Sequence, residues 1–455
     1  MHGVNLSPSN VLAARAQAAR LPYHDRLVLR WAVAIFAAIV FEGAARKWLL
    51  PASLQAVPYF AKDVLAALFL VNYRPKRRLP LRNHLLPFVL GIALCLTPAL
   101  LLGLVRFPIG ALVVFKNAVL WPLFAIHFGS YLTEAVTDRL AKAAILFSVV
   151  IAGLGLLQYF GALDSPVNRY AWDTSGSADI ATAGNFVRAT GTFSYISGLA
   201  SFSIAMFCLL LGRLPTAKGM DVWLLLCGLP ASVVCGLVTG SRSVLVVLAF
   251  VAMLSVLLIS EQNKTRLIGG VAGAGLCLAV LWNSHVAEGV LARWASTQET
   301  EVRGRITGTS LGESPLKLVF DNPLGYGLGL NSGATAYFDP DLDIGKNENV
   351  QSRIAQEAGL PGVIAMGLGL ALILRASLMT WRIKSKRASG MVPVAIGMLL
   401  QAWYGLWYDH TSSALWWWVA GIWLAALFAS PWGRRAQFAP VRYPRTRLDM
   451  ELGTR

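Results

Sequence analysis

Two arginines in this chain stand at turns where a guanidinium can meet an anion. Arg188 opens the stretch RATGTFSYISG (188–198), and Arg242 sits at the tip of TGSRS (239–243). The planar fork of arginine stays charged and bonds oxygens bidentately, so such residues suit a phosphate or diphosphate. A third stretch, NPLGYGLGL (322–330), carries Gly325, Gly327 and Gly329 at alternate positions. Backbone without side chains can approach a ligand closely. A fourth, NENVQSRIAQEAGLPG (347–362), places Glu348, Gln351, Arg353, Gln356 and Glu357 where an apolar run begins. Ionisable groups near lipid are costly, so each needs a partner or a task. A lone arginine beside an apolar run often only snorkels to headgroups. The case for chemistry rests on all four stretches reaching one side of a membrane.

The elements that must position these residues are membrane helices. Hydrophobic residues make up 56% of the 455 and charged residues 14%, against roughly 25% charged in soluble domains. About twelve apolar segments are long enough to span, near 27–42, 57–73, 84–104, 109–129, 140–161, 193–212, 221–239, 243–260, 265–284, 358–378, 390–408 and 412–430. In lipid they must be helical, because no water satisfies an open backbone. The expected fold is an all-α integral membrane protein: a polytopic domain over 27–430, an N-terminal segment (1–26) and a basic tail (431–455). Residues 11–20, VLAARAQAAR, read as a basic amphipathic helix on the membrane surface. The first apolar segment follows Arg15, Arg20, Arg26 and Arg30 and ends in Phe41-Glu42-Gly43 with no small-residue cleavage pattern, so no cleavable signal is expected. No internal repeat stands out.

The net charge of +17 is not spread as a nucleic-acid binder would spread it. It gathers in the short loops 74–83, 213–220, 261–266 and 379–389 and in the tail; the loop 130–139 is the exception. Short Lys/Arg-rich loops face the cytoplasm, which puts both termini inside. Two long loops, 162–192 and 285–357, then lie outside, together with all four stretches above. In the second loop Trp294, Leu316, Leu318, Val319 and Phe320 are spaced for short amphipathic helices on the membrane face. That loop also supplies Arg303 and Arg305, which join Gly325, Gly327, Asn349 and Glu357 as substrate-binding candidates. Gln351, Arg353 and Glu357 are expected to bond neighbouring loops, and Gly359 and Gly362 to allow tight helix contact. All five cysteines lie in apolar segments without a CxxC spacing and read as buried structural residues. DPDLD (Asp339, Asp341, Asp343) alternates carboxylates but lacks the later bidentate glutamate of a calcium loop. A solvated turn is expected there, and no metal or cofactor is implied.

In their order, these residues resemble the O-antigen ligase and O-antigen polymerase superfamily of bacterial envelope proteins. The resemblance runs over residues 185–375. It consists of an arginine before a Gly-Thr-Phe step (Arg188, Gly191, Thr192, Phe193), a Ser-Arg turn (Ser241, Arg242), Asn-Pro-Leu followed by alternate glycines (Asn322, Pro323, Leu324, Gly325, Gly327, Gly329), and Glu-x-Gly-x-x-Gly (Glu357, Gly359, Gly362). FEGAARKW (41–48) resembles a subgroup of the same proteins. Glu42 and Arg46 suit an i,i+4 ion pair, and the stretch reads as an anchor for the first helix in preference to a catalytic element. The resemblance implies a GT-C-like, lipid-dependent glycosyltransferase architecture in the bacterial inner membrane. It implies transfer of a glycan from an undecaprenyl-diphosphate carrier to an acceptor hydroxyl, of a glycan or a lipid, on the periplasmic side. Other polysaccharide assembly proteins are possible partners. Arg188 and Arg242 would neutralise the leaving diphosphate.

The sequence departs from the family where the last motif has a His-Asn pair. Here Glu348 stands in place of the histidine, followed by Asn349, and a carboxylate in that place is the expected base toward the acceptor hydroxyl. His285 and His410 fall at outer ends of spans and are read as structural. Two other classes are weighed. A transporter or flippase of lipid-linked glycan would need charge in the apolar cores, where only Lys116 stands clearly, with Lys62 and Asp63 near an outer end. A non-catalytic partner of polysaccharide assembly is kept open by the missing histidine.

Overall fold

The computed structural model of the protein describes residues 21–73, 80–169, 182–183, 185–295, 314–333, 335, 350–383, 385–404, 406 and 409–430. They form helices α1 (Tyr23–Ala44), α2 (Ala56–Asn72), α3 (Pro80–Arg106), α4 (Pro108–Gly129), α5 (Glu134–Phe160), α6 (Ile196–Arg213), α7 (Met220–Val238), α8 (Arg242–Leu258) and α9 (Glu261–Trp282). After these come the short α10 (His285–Ala295) and α11 (Pro315–Asp321), then α12 (Val350–Arg382), the short α13 (Lys386–Gly390), α14 (Val392–Tyr404) and α15 (His410–Phe428). A two-residue hairpin pairs β1 (Thr182–Ala183) antiparallel to β2 (Phe186–Val187). Each of the twelve expected apolar segments is centred on one helix. The expected amphipathic pieces around Trp294 and Leu316–Phe320 are α10 and α11.

Among the described residues, nine helices are long and apolar enough to cross a membrane, and α8 and α14 are shorter apolar helices. Their outward side chains are those that lipid solvates: Leu94, Val105, Leu146 and Leu276 are all well exposed. A water-soluble surface rarely shows so much contiguous apolar area. The chain is thus an all-α protein of the multi-pass membrane type.

Burial sorts the helices into centre and rim. The apolar window of α15 is 94% buried and that of α6 89%, whereas α9 reaches 17%. Since lipid also accepts a helix apolar on every side, burial and not apolarity marks the centre, where α15 buries Trp416, Trp417, Trp418 and Trp423. It packs along α4, while α3 packs on α4 and α12, and α7 on α5 and α6.

Two of the helices are irregular. First, α1 does not stop at Ala44. It widens into a π-helical turn, Ala45–Leu49, a feature often found at functional sites. The turn carries Arg46 and Lys47 of FEGAARKW and buries both. Second, α12 is broken at Gly359, whose φ of 55° and ψ of −141° are not helical. Pro361 follows, at a position where its missing N–H costs nothing in a restarted helix. The polar run from Gln351 to Glu357 is therefore a helix of its own ahead of the apolar one.

Candidate functional site

At the ends of α1, α2, α4 and α15 that share a side with Arg188, a group of ionisable side chains is closed off from solvent. Glu42 is 3% exposed, Arg46 1% and Lys62 0%. Glu42 accepts from Lys62 and, at 3.4 Å, from Arg46. The Thr411 hydroxyl stands 3.4 Å from the same carboxylate. Asp63 is the second carboxylate; its Oδ1 accepts from Lys116 at 2.9 Å and from the Trp121 indole at 2.9 Å. All three protons of the Lys116 ammonium have an acceptor: Asp63, Asn117 Oδ1 at 3.1 Å and His410 Nδ1 at 2.6 Å. Since Nδ1 accepts, His410 carries its proton on Nε2, which donates to the Tyr59 carbonyl at 2.7 Å. The imidazole also stacks on the Tyr59 ring, centroids 4.0 Å apart. Both carboxylates, Glu42 and Asp63, lie within 4.0 Å of His410 Nε2. Buried charges persist only when paired and hydrogen-bonded in this way.

This group is tied to the segment that carries Arg188. Lys47 Nζ donates to Thr190 Oγ1 at 2.9 Å and to the Gly191 carbonyl at 2.7 Å. Arg46 donates to Ser194 Oγ at 3.2 Å. From the other side Gln158 Oε1 accepts from the backbone of Thr190 at 3.1 Å and Gly191 at 2.6 Å. The Gly191 φ of 58° suits a residue without Cβ. Gly43 lets the two stretches touch: a Cβ there would lie 2.2 Å from the backbone of Phe193 and Ser194. FEGAARKW thus holds RATGTF by backbone contact and by two cations.

RATGTF in turn holds the TGSRS turn. The Ala189 N–H donates to Val238 O at 2.9 Å, and Arg188 Nε donates to Thr239 O at 3.0 Å. Gly240, at φ 61°, lies against Arg188 Cγ and Ala183. Arg242 begins α8 on the far side of this turn and donates to the Arg293 carbonyl of α10 at 2.8 Å. The hydroxyl of Tyr159 pins α10, accepting from Gly289 N–H at 2.8 Å. Arg188 and Arg242 therefore flank one three-residue turn.

The glycine-rich stretch makes a second assembly. Where α12 breaks, its first half leaves carbonyls without helical partners. Tyr326 N–H takes that of Gln356 and Gly327 N–H that of Glu357, both at 2.9 Å. Pro323 O accepts from Leu360 N–H, at the start of the second half, at 2.8 Å. The buried Glu357 carboxylate accepts from Gly329 N–H at 3.0 Å and Asn331 N–H at 2.5 Å. A Cβ on Gly325 would come within 2.4 Å of Glu357 O, on Gly327 within 2.8 Å of Gly103 N, and on Gly329 within 2.4 Å of Ala111 N. Here the glycines approach protein backbone, where the sequence pattern had suggested approach to a ligand, while Glu357 spends its oxygens on the loop, as expected. Gly359 differs from expectation: its close neighbour is Pro323 of the loop, 2.1 Å from where its Cβ would be, and not another helix. The helix break explains the difference.

Of the sequence candidates, Arg188, Arg242, Gly325, Gly327 and Glu357 are thus placed. Glu348, Asn349, Arg303 and Arg305 lie outside the described residues, as do Asp339, Asp341 and Asp343, residues 11–20 and the tail from 431. His285 is exposed and pairs with Glu288 on its own helix. Sequence reasoning passed over Gln158 altogether, and its signal was a lone polar side chain near the end of an apolar run. It noted Lys62, Asp63 and Lys116 only as stray charges, whereas they form one cluster with FEGAARKW. No family model matches this sequence, and no curated protein is significantly similar to it.

Proposed function

We propose that this protein is a membrane glycan transferase of the O-antigen ligase or polymerase type. It would move a glycan from undecaprenyl diphosphate to an acceptor hydroxyl at the periplasmic face of the bacterial inner membrane. Twelve spans with both termini cytoplasmic, in a GT-C-like arrangement, are part of this proposal; the Lys/Arg-rich short loops support the orientation. The observation that carries the reading is that Arg188 and Arg242 flank the same turn, Arg188 bonded to its carbonyl and Arg242 starting the next helix. Behind them, among the described residues, the carboxylates of Glu42 and Asp63 pair with Arg46, Lys62 and Lys116, and Lys47 donates to the neutral oxygens of Thr190 and Gly191 beside the Trp48 ring.

In the reaction the acceptor oxygen attacks the anomeric carbon and the carbon–oxygen bond to the diphosphate breaks. The electron pair leaves on the phosphate oxygen, whose charge Arg188 and Arg242 neutralise. The hydroxyl proton passes to Glu348. The test is transfer of a labelled lipid-linked glycan by purified protein. Arg188→Ala and Arg242→Ala should each lower the rate by about 10²–10³ in a folded protein, with lysine restoring only part of it, since an ammonium cannot bond bidentately. Glu348→Gln should cost about 10²–10⁴ and flatten the acid limb of the pH profile. Near-normal rates in both alanine variants would remove the diphosphate role.

A second reading is favoured by the buried cluster of Glu42, Lys62, Asp63, Lys116 and His410. Intramembrane ionisable groups in contact mark ion pathways in transporters. Flipping of a fluorescent lipid-linked glycan in proteoliposomes, abolished by Asp63→Asn but not by Arg188→Ala, would replace transfer with transport.

A further inference from the structure

At the opposite end of the bundle a cavity has no place in the proposed reaction. The eighteen residues of α6 separate Arg213 from the Arg188 end by about 27 Å at 1.5 Å per residue. There, among residues of α5, α6 and α7, an open cavity of about 260 Å³ is lined in part by Arg213. Its polarity is graded. The lining residues Lys142, Lys218 and Asp221 are exposed or half-exposed, whereas Ala141, Ile145 and Leu225 are buried. Beside the cavity the surface is apolar and outward-facing, with Met220 72%, Trp223 68% and Leu146 63% exposed. Tryptophan in such a place marks the boundary between headgroups and acyl chains.

The charges select the occupant. Two of the three acids lining the cavity are held by largely buried guanidiniums, Asp138 by Arg213 (8% exposed) and Glu134 by Arg387 (20% exposed), although the two carboxylates are themselves 41% and 68% exposed. The third, Asp221, pairs with Lys142 at 2.8 Å, but both side chains are about half exposed, at 40% and 51%. An exposed pair of this kind holds weakly and is readily exchanged. Lys218 is exposed in the same wall and has no ion-pair partner among the described residues. The site therefore offers two ammonium groups to an anion and one exchangeable carboxylate to a cation. Its buried lining is apolar, and exposed apolar side chains stand on the helices beside it.

We propose that this cavity binds the headgroup of a zwitterionic phospholipid with a primary amine, of the phosphatidylethanolamine kind. Lys142 and Lys218 meet the phosphate, and Asp221 accepts from the ammonium. Ile145 and Leu224 take the upper part of an acyl chain. A choline headgroup has no N–H to give to Asp221. A purely anionic headgroup leaves that carboxylate facing like charge.

The proposal is tested on the whole protein, delipidated in detergent and titrated with ethanolamine, choline and glycerol phospholipids of identical chains, bound lipid being read by native mass spectrometry. One charge-assisted hydrogen bond predicts a preference of about tenfold for ethanolamine over choline. Asp221→Asn should abolish that preference. Lys218→Gln should weaken all three lipids alike. Both side chains lie at the rim, so the fold survives, and an unchanged melting temperature verifies it. The paired variant Lys142→Ala/Asp221→Ala keeps the net charge and should still lose selectivity. Equal binding of the three lipids, tighter binding of the glycerol lipid, or a preference that survives Asp221→Asn would each overturn the assignment. None of these outcomes depends on whether the outer face transfers glycan.

Discussion

The end of the bundle that carries Arg188 is built from two interlocked pairs of sequence stretches, and they interlock by different physics. FEGAARKW and RATGTFS are joined chiefly by cationic donors on neutral oxygens: Lys47 reaches Thr190 and Gly191 and Arg46 reaches Ser194, while behind them Glu42 and Asp63 hold Lys62 and Lys116. NPLGYGLGL and QEAGLPG are joined by backbone: glycines pressed on main chain, carbonyls and N–H groups exchanged, and one carboxylate bonding two amides. A charge network is graded, because removing one member leaves others that partly compensate. A backbone contact without room for a methyl group has no such reserve. The two meet in α4. Gly110 touches the glycine loop and Lys116 the ionic cluster, six residues or about 9 Å apart along the axis.

The sharpest break of this contrast is Gly359→Ala. The new Cβ would lie 2.1 Å from Pro323 O, on a residue with φ of 55°. Neither neighbour is the end of a flexible side chain, so the loop and the helix break must separate. The expected cost exceeds about 4 kcal/mol, in the range that only a few mechanisms reach. The readout is the yield of monodisperse protein and its melting temperature in detergent. A variant as stable as the parent would mean that the break in α12 is not needed. Gly43→Ala should behave similarly, since at that one contact the ionic assembly uses the same device.

The next effect should be smaller and partly recoverable. Glu42→Gln leaves Lys62 and Arg46 buried without their carboxylate. Breaking a buried pair by removing one partner costs about 3–5 kcal/mol. Adding Lys62→Met removes the orphaned charge and should return a large part of that loss, which the melting temperatures of the two single variants and the double variant would show as a coupling. A single variant within about 0.5 kcal/mol of the parent, or strictly additive losses, would deny that the cluster is an energetic unit.

The two assemblies also differed in how far the sequence disclosed them. The helices were legible because lipid demands long apolar runs, and every such run became a helix. The glycine loop was legible as a place of close approach, but its partner was not: Gly325, Gly327 and Gly329 suggested a ligand, and they press on protein backbone. Glu357 was foreseen as a loop ligand. The break at Gly359 was not, because an apolar run with a Gly and a Pro reads equally well as one kinked helix. The ionic cluster was least legible. Glu42, Lys62, Lys116 and His410 lie on four helices, and charges scattered along a sequence show nothing of their meeting in space. Only Glu42 and Arg46 share a local spacing. Gln158, which fixes Thr190 and Gly191 from behind, carries no charge and belongs to no recognisable motif.

The mildest substitution tests the join between charge and chemistry. Lys47→Met keeps the length of the side chain and removes the donor to Thr190 Oγ1 and Gly191 O. No carboxylate among the described residues loses a partner, so the stability loss should be about 1–2 kcal/mol, the range of an unmade hydrogen bond. Gln158 and the Gly43 contact still hold the corner, which keeps the fold. What changes is the freedom of the segment just after Arg188. Under the proposed transfer reaction the rate should fall by more than the modest stability loss explains, and Lys47→Arg should restore part of it by donating to the same oxygens. Hydrogen exchange over residues 188–193 separates the two assemblies without any assay of activity. It should quicken in Lys47→Met while the amides of Tyr326 and Gly327, held by the other assembly, keep their protection. Equal quickening in both places would show that the two pairs of stretches form one cooperative unit and that the contrast between them is only one of bonding style.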